Sequence, residues 1–426
     1  MQSRSFLFIL FLSALSACDS GGGSGHTNVR LMNASPAYTS LDLYATATDD
    51  DTDRQRVAAV AYDTLSSYTQ LDSGTYNVKF KRNGVTSTLQ TVSSRQLADD
   101  THHTFVAFGS TGHFSSVQLG DDVTPPDNGR SKVQVLNVAE AGTVDVYLTE
   151  SSVSLDDATP AVAGVAPGTA SSASTIDSGD YRLRVTGASD TDDLRLDVPN
   201  ITLDSRQVVS LILTATQGGV LVNVLLLPQQ GSLTKFANTK ARIRGAVGTT
   251  NGPVVMRIGG VTVLNGAVGV VGNYTQVESG SVAVNLIVNG VAVTVPNQTL
   301  VAGGEYTLLT WTNADGTQTT LIGDDNRLPT ASGKAKIRIM NGLSALNAPL
   351  TLAVNFAPIS EGIALGQSST YTEIDDGSDY QLDVTNTDTA ANLLTRTSVT
   401  LQSASVYTLF MSANGATISG TLRKDR

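Results

Sequence analysis

The residues of this 426-residue chain best equipped for chemistry are four histidines, one cysteine and three aspartate-rich stretches. His26, His102, His103 and His113 all fall near the start of the chain. Ser–His–Asp or Cys–His catalysis would have to sit there, and no nucleophile elbow accompanies them. His102 and His103 are adjacent, so on a strand they would point to opposite faces, a poor arrangement for joint metal ligation. They are read as solvent-exposed residues at strand ends. Asp49 to Asp53, Asp190-Thr191-Asp192-Asp193 and Asp324-Asp325 are carboxylate clusters in predicted loops. Calcium favours such oxygen ligands and would stiffen a tandem rod, but none of the three has EF-hand spacing, and solvated surface turns are expected. A glycosidase needs one specific carboxylate pair, which aspartates scattered through loops do not offer. The expectation is therefore no catalytic residue, no metal and no cofactor. A carboxylate- or metal-dependent hydrolase of envelope polymer is the enzymatic alternative.

Cys18 has a context that explains it. Arg4 forms a minimal positive region, Phe6 to Leu12 is an apolar stretch of signal-peptide length, and Leu15-Ser16-Ala17-Cys18 follows. That tetrapeptide looks like a bacterial lipobox, whose cysteine is lipidated and becomes the mature N-terminus. Residues 1–17 then form the signal peptide, and residues 18–28 the lipidated Cys18 with a flexible tether, Gly21-Gly22-Gly23-Ser24-Gly25. The expected location is the cell envelope, extracytoplasmic, anchored to the outer membrane or to the periplasmic face of the inner membrane; Asp19 does not choose between them. No second thiol exists, so disulfides are excluded and apolar burial must hold the fold.

Composition narrows the class further. Hydrophobic residues make up 40%, enough for globular cores, and the charged fraction is only 15%. A net charge of −11 argues against a nucleic-acid partner, which requires a basic face. Aromatics are 5% with the single Trp311, which argues mildly against an exposed sugar-binding platform. Trp311 alternates with Leu309 and is expected in a core.

What must position these residues is a repeat. Asp72-Ser73-Gly74 returns as Asp177-Ser178-Gly179, as Glu278-Ser279-Gly280 and as Asp375-Asp376-Gly377, at intervals of about a hundred residues. Acidic and Ser side chains can bond backbone amides and Gly supplies positive φ, so the motif is expected to be a structural turn fixing a hairpin, with no ligand role. Alternating strands surround each copy, such as Tyr76, Val78 and Phe80 against Asn77, Lys79 and Lys81. Asn83-Gly84 and Asn289-Gly290 are hairpin signals ten residues beyond their turns. Val208 to Thr214 and Val220 to Leu227 form an unusually apolar pair, read as a buried hairpin. Each unit offers about seven short strands and no helix. The fold class is all-β: four tandem immunoglobulin-like antiparallel β-sandwiches at 29–122, 132–228, 240–325 and 335–426, in a row on short linkers as an extended rod. In the fourth copy Tyr380 lies three positions after Gly377, where Tyr76 and Tyr181 lie two after theirs, so the last sandwich is expected to depart most.

Val29-Arg30 with Ala34-Ser35-Pro36, Asp42-x-Tyr44, the Asp-x-Gly-x-Tyr turn and Ala302-Gly303 with Tyr306-Thr307 resemble the bacterial and archaeal domain of unknown function 4397 family. The second unit keeps Asp145-x-Tyr147 and Asp177-x-Gly179-x-Tyr181 but has Val138-Ala139-Glu140 for Ala-Ser-Pro. The fourth is loosest, with Asn341-Gly342-Leu343 there. The resemblance runs over nearly the whole mature chain and implies exported tandem β-sandwiches without a known activity. Together these readings point to a non-enzymatic, lipid-anchored envelope protein with a binding, adhesion or spacer role. Its partners would be the membrane, through its lipid, and an unidentified envelope protein or polymer. A calcium-stiffened adhesion rod is the nearer alternative.

Overall fold

The computed structural model describes residues 25–110, 112–329 and 331–426, and within them the protein is all strand and turn. The expected signal peptide and Cys18 lie outside the described residues. In the first unit the strands are β1 (His26–Asn33), β2 (Ser40–Ala47), β3 (Gln55–Ala61), β4 (Thr64–Leu65), β5 (Thr69–Asp72), β6 (Gly74–Arg82), β7 (Thr88–Leu97), β8 (Thr101–Ser110) and β9 (His113–Gly120). One sheet runs β3-β2-β6-β7. The other places β4 and β5 along one edge of β1, with β8 and β9 on its far side. The pairing of β1 with β8 is parallel, Arg30 opposite Thr104, so each sandwich is immunoglobulin-like with one parallel pair in otherwise antiparallel sheets.

The same plan recurs three times. The β1 equivalents are Arg130–Asn137, Lys240–Gly248 and Lys334–Asn341, and each pairs in parallel with a β8 equivalent: Val208–Ala215, Glu305–Asn313 or Ser405–Asn414. The expectation that the fourth unit departs most is not met. The third does, because Gly280–Val282 leaves the main sheet to pair only with Gln298–Leu300. In the fourth, Tyr380 absorbs its extra residue and its hydroxyl still donates to the Asp375 carbonyl at 2.9 Å.

Alternation explains the cores. In β1, Val29 and Leu31 point into the first sandwich with Leu43, Val78, Phe80 and Phe105, while Arg30 and Met32 point out of it. The outward face is buried too. Met32, Val106 and Phe108 pack on Leu136, Ile212, Leu225 and Leu227 of the second unit. Strands Val208–Ala215 and Val222–Pro228 are therefore covered on both faces. This accounts for their unbroken apolar sequence, and they pair as the expected hairpin. The third and fourth units repeat the arrangement: Ala246, Leu309 and Ile322 meet Met340 and Phe410. Trp311 lies partly buried on this seam, not in a sandwich core, with its ring against Gly366 and its Nε1 donating to Thr320 at 3.0 Å. The expected rod is thus replaced by two back-to-back pairs, because the β1–β8 sheets expose more apolar surface than one sandwich can bury.

Buried asparagines close the first strands. Asn33 donates to the carbonyls of Tyr38 and Val60 and accepts from the Ser35 amide. Asn137 and Asn341 make the equivalent bonds in their own units. Asp42 and Asp145 of the Asp-x-Tyr motifs accept backbone amides, from Ala59 at 2.8 Å and from Gly164 at 2.7 Å. Both motifs serve the fold.

Candidate functional site

The repeated acidic turn is not a hairpin. Asp72 ends β5 in one sheet and Gly74 starts β6 in the other, and the same crossing occurs at Asp177–Gly179 and Asp375–Gly377, while Glu278–Gly280 leads from the main sheet into the separate pair of Gly280–Val282 with Gln298–Leu300. It is a corner between sheets. Only Gly179 (φ 152°) and Gly280 (φ 96°) use positive φ there. The acidic side chain lies opposite a base at the start of the first strand: Asp72 with His26 at 3.5 Å, Asp177 with Arg130 at 2.7 Å, Glu278 with Lys240, and Asp375 with Lys334 at 2.7 Å. These pairs are exposed and contribute little. Three corners are closed by a tyrosine hydroxyl donating to the acidic residue's carbonyl, from Tyr76, Tyr181 and Tyr380.

Of the histidines, His102 Nδ1 lies 3.0 Å from Asp122 Oδ1, and His103 faces Thr101 and Gln118. The carboxylate clusters are engaged with cations: Asp50 with Arg54, Asp53 with Lys79 and Lys81, Asp193 with Arg195, and Asp325 with Arg327. Among the described residues no three His, Cys, Asp or Glu side chains gather as a metal site. Millimolar calcium is therefore expected to leave the melting temperature unchanged; a rise of several degrees would restore the calcium-stiffened reading.

Asp324, expected in a solvated surface loop, instead has a fully buried side chain. It belongs to a cluster built in three of the four units from one seam-facing position on each of four elements. In the third unit Arg244 Nε donates to Thr307, Thr307 to Asp324 at 2.7 Å, and the Tyr274 hydroxyl to the same Asp324 oxygen at 2.6 Å. The guanidinium lies 4.5 Å over the Tyr274 ring. Arg338, Thr408, Asp425 and Tyr371 repeat this in the fourth unit, and Arg30, Thr104, Asp121 and Tyr68 in the first.

In the third and fourth units the two clusters are crossed. Arg338 donates across the seam to Asp324, and Arg244 Nη1 donates across it to Asp425 at 2.5 Å. Burial alone would raise Asp324. The charges of Arg338 and Arg244 outweigh it, and the carboxyl sits below its usual range. Burial lowers Arg244 and Arg338, but the aspartates and facing tyrosines more than compensate, so both guanidiniums are held firmly charged.

The first pair of units is not crossed. Opposite Ser210 on the second unit's first strand stands Gln134, and Gln229 occupies the aspartate position, bonding Val123 instead. Arg30 reaches Gly231 O at 2.8 Å, and its Nη2 has no hydrogen-bond partner, with Asp121 Oδ2 at 3.6 Å.

The second, third and fourth units meet around Glu305, which is fully buried. Its Oε1 accepts from the Val220 amide at 3.0 Å and its Oε2 from Asn326 at 2.5 Å. Burial pushes its carboxyl up, with Arg242 opposing. A Cβ on Gly219 would stand 2.5 Å from the Arg327 amide nitrogen, so glycine is what lets the second unit approach this closely. Arg426 donates to the carbonyls of Gly219, Asn326 and Glu140; burial, reinforced by Arg195, lowers it to about 10.

Where the first three units converge, a cleft of about 450 Å³ opens. Its walls include Tyr62, Asp63, Ser110, Glu140, Lys235 and Arg327. Nothing in the local sequence marks it, because its walls come from separate units.

Among curated proteins none matches this chain. Solved structures with detectable likeness include a family 26 carbohydrate-binding module from Eubacterium rectale in complex with maltoheptaose, at 12% identity over 48% of this chain and 97% of that one, TM-score 0.16. A leucine-rich repeat protein from Bacteroides thetaiotaomicron shows 13% identity over 44% and 26%, TM-score 0.15. The Bacillus anthracis TIE protein shows 10% over 92% and 68%, TM-score 0.15. The resemblance expected along nearly the whole mature chain is found over its first part. Residues 27–147, the first sandwich and the opening strands of the second, match the family described as Domain of unknown function (DUF4397), and over that segment the chain is similar to it.

Proposed function

We propose that this chain is a non-enzymatic, lipid-anchored protein of the cell envelope whose tandem sandwiches form a binding body held at a membrane surface. The observation that carries the anchoring is the Leu15-Ser16-Ala17-Cys18 sequence directly after an apolar stretch of signal-peptide length. A glycine-rich tether behind it is the kind of segment that holds a folded body off a bilayer.

Support for a binding role comes from where the chain places its polar groups. Four of the buried charged groups, Arg244, Glu305, Asp324 and Arg338, are engaged in seams between units, where they fix the relative placement of sandwiches, and not in a nucleophile–base pair. A body with rigid seams presents loops and clefts from different units at fixed spacing, which suits recognition of an extended envelope partner.

Cys18→Ala is expected to shift the protein from the membrane to the soluble fraction of fractionated cells. Retention of the variant with membranes would refute the lipid anchor. Crosslinking in intact cells followed by pull-down then identifies what the anchored body holds.

A further inference from the structure

One cleft residue stands in a conformation that its counterparts reserve for glycine. The amide of Asp63 donates to the Asn33 carbonyl and its φ is 59°. The same backbone bond is made by Gly168 to Asn137, by Gly269 to Val247 and by Gly366 to Asn341, at φ of 73°, 87° and 80°. Three units thus fill the left-handed position with the residue that suits it, and the first unit carries a carboxylate there at a conformational cost.

That carboxylate is 8% exposed. One oxygen pairs with Lys235 from the segment after the second unit, and the other, Oδ1, is buried without a hydrogen-bond partner. Ser110 Oγ, on the same cleft, is a second buried oxygen without a partner. Glu140, which takes the place of Pro36 in the second unit, also lines the cleft from a left-handed backbone position, φ 54°. Burial raises its carboxyl, with Arg327 opposing. Unmatched buried polar atoms and local strain converging on one concavity are features of a ligand site.

The wall chemistry selects the ligand. Two carboxylates face two cations, Lys235 and Arg327, so no net charge is demanded. Asp63 Oδ1 requires a donor, while Ser110, Thr216, Gln217 and Asn223 offer both donors and acceptors. Pro36, Ala37, Ala215 and Ala302 supply small apolar surface and Tyr62 a ring. We infer that this cleft binds a small neutral polyhydroxylated ligand, of mono- or disaccharide size, with a ligand hydroxyl donating to Asp63. The volume lies within the range of small-ligand pockets. The scarcity of aromatics that argues against an exposed sugar platform does not bear on a cleft that recognises hydroxyls by hydrogen bonds. The inference rests on the binding role proposed above and names its site and ligand class.

The test uses the purified protein with glucose, galactose, mannose, N-acetylglucosamine, maltose and lactose at millimolar concentration, and spermidine as an amine comparator. Binding is read by saturation-transfer NMR. At least one saccharide is expected to bind, with affinity falling about tenfold or more, roughly the loss of one charged hydrogen bond, in both Asp63→Gly and Asp63→Asn. Asp63→Gly restores the residue used by the other units, so its melting temperature is expected to hold or rise by about 1–3 °C. Binding of no saccharide, unchanged binding in both variants, or Asp63-dependent binding of spermidine alone would overturn the inference. So would a fall in melting temperature in Asp63→Gly matching that of Lys235→Met, which would make Asp63 a structural strap. Cleavage of a bound disaccharide in the same samples would leave the site standing and sink the non-enzymatic reading instead.

Discussion

Arg338→Met is expected to destabilise the protein by about 3–5 kcal/mol, measured as a drop in the denaturant midpoint of equilibrium unfolding. Methionine fills much of the arginine stem's volume, so the loss reports the charge. Asp324, fully buried, would keep only Arg244 Nε at 4.0 Å and the hydroxyls of Thr307 and Tyr274. A charge taken out of water and left half-compensated is costly, whereas removing both partners is far less so. Arg338→Met combined with Asp324→Leu should therefore recover part of the loss. A single variant as stable as the parent would mean that the crossed cluster contributes nothing.

The same cluster sets a pH dependence. Asp324 is held below the usual carboxylate range, so the folded state binds its proton more weakly than the unfolded state does. Its contribution is fully present above the unfolded aspartate value near pH 4 and is lost as pH falls through the lower folded value. Arg338→Met removes the main charge responsible, so its stability should fall less steeply in that acid window than the parent's.

Phe410→Ala is the second large effect, expected to cost about 3–5 kcal/mol. The ring is fully buried on the seam among Ala246, Leu309, Ile322 and Met340, away from the fourth sandwich's own core. A Cβ on Gly342 would stand 2.5 Å from the ring, so the backbone already lies against it and has little room to close the space. Because the truncated contacts are between units, hydrogen exchange should accelerate on both sides of the seam, in Lys240–Gly248 as well as in Lys334–Asn341. Acceleration confined to the fourth unit would show that the seam does not couple the two.

Several features of this fold are legible along the chain because they depend on near neighbours. Asn289-Gly290 forms a two-residue hairpin with both residues at positive φ, as that dipeptide demands. Tyr76, Val78 and Phe80 turn inward on a period of two. The echo of Leu119-Gly120-Asp121-Asp122 in Ile322-Gly323-Asp324-Asp325 is also visible, and it marks the cluster aspartate of the first and third units but not Asp425 of the fourth. Its meaning is not, since Thr104 and Asp121, like Thr307 and Asp324, lie 17 residues apart and meet only when the last hairpin pairs. Asp121 and Asp324 share the same local sequence and both are buried, but only Asp324 receives an arginine from another unit.

The sequence by itself determined the class and the count of repeats, because strand alternation and turn chemistry act over a few residues; it located the four acidic turns, but that they are corners between sheets and not hairpins was decided by the tertiary structure. The lipobox-like stretch Leu15-Ser16-Ala17-Cys18, on which the proposed anchoring rests, lies outside the described residues. Only the tertiary structure decided that the units pair back to back, that Asp324 is buried and crossed with Arg338, that Trp311 lies on a seam, and that Asp63, Glu140 and Lys235 share one cleft. Each of those depends on burying a second face of a sheet against a partner that is distant in sequence, and a period of two cannot say what covers the outward side.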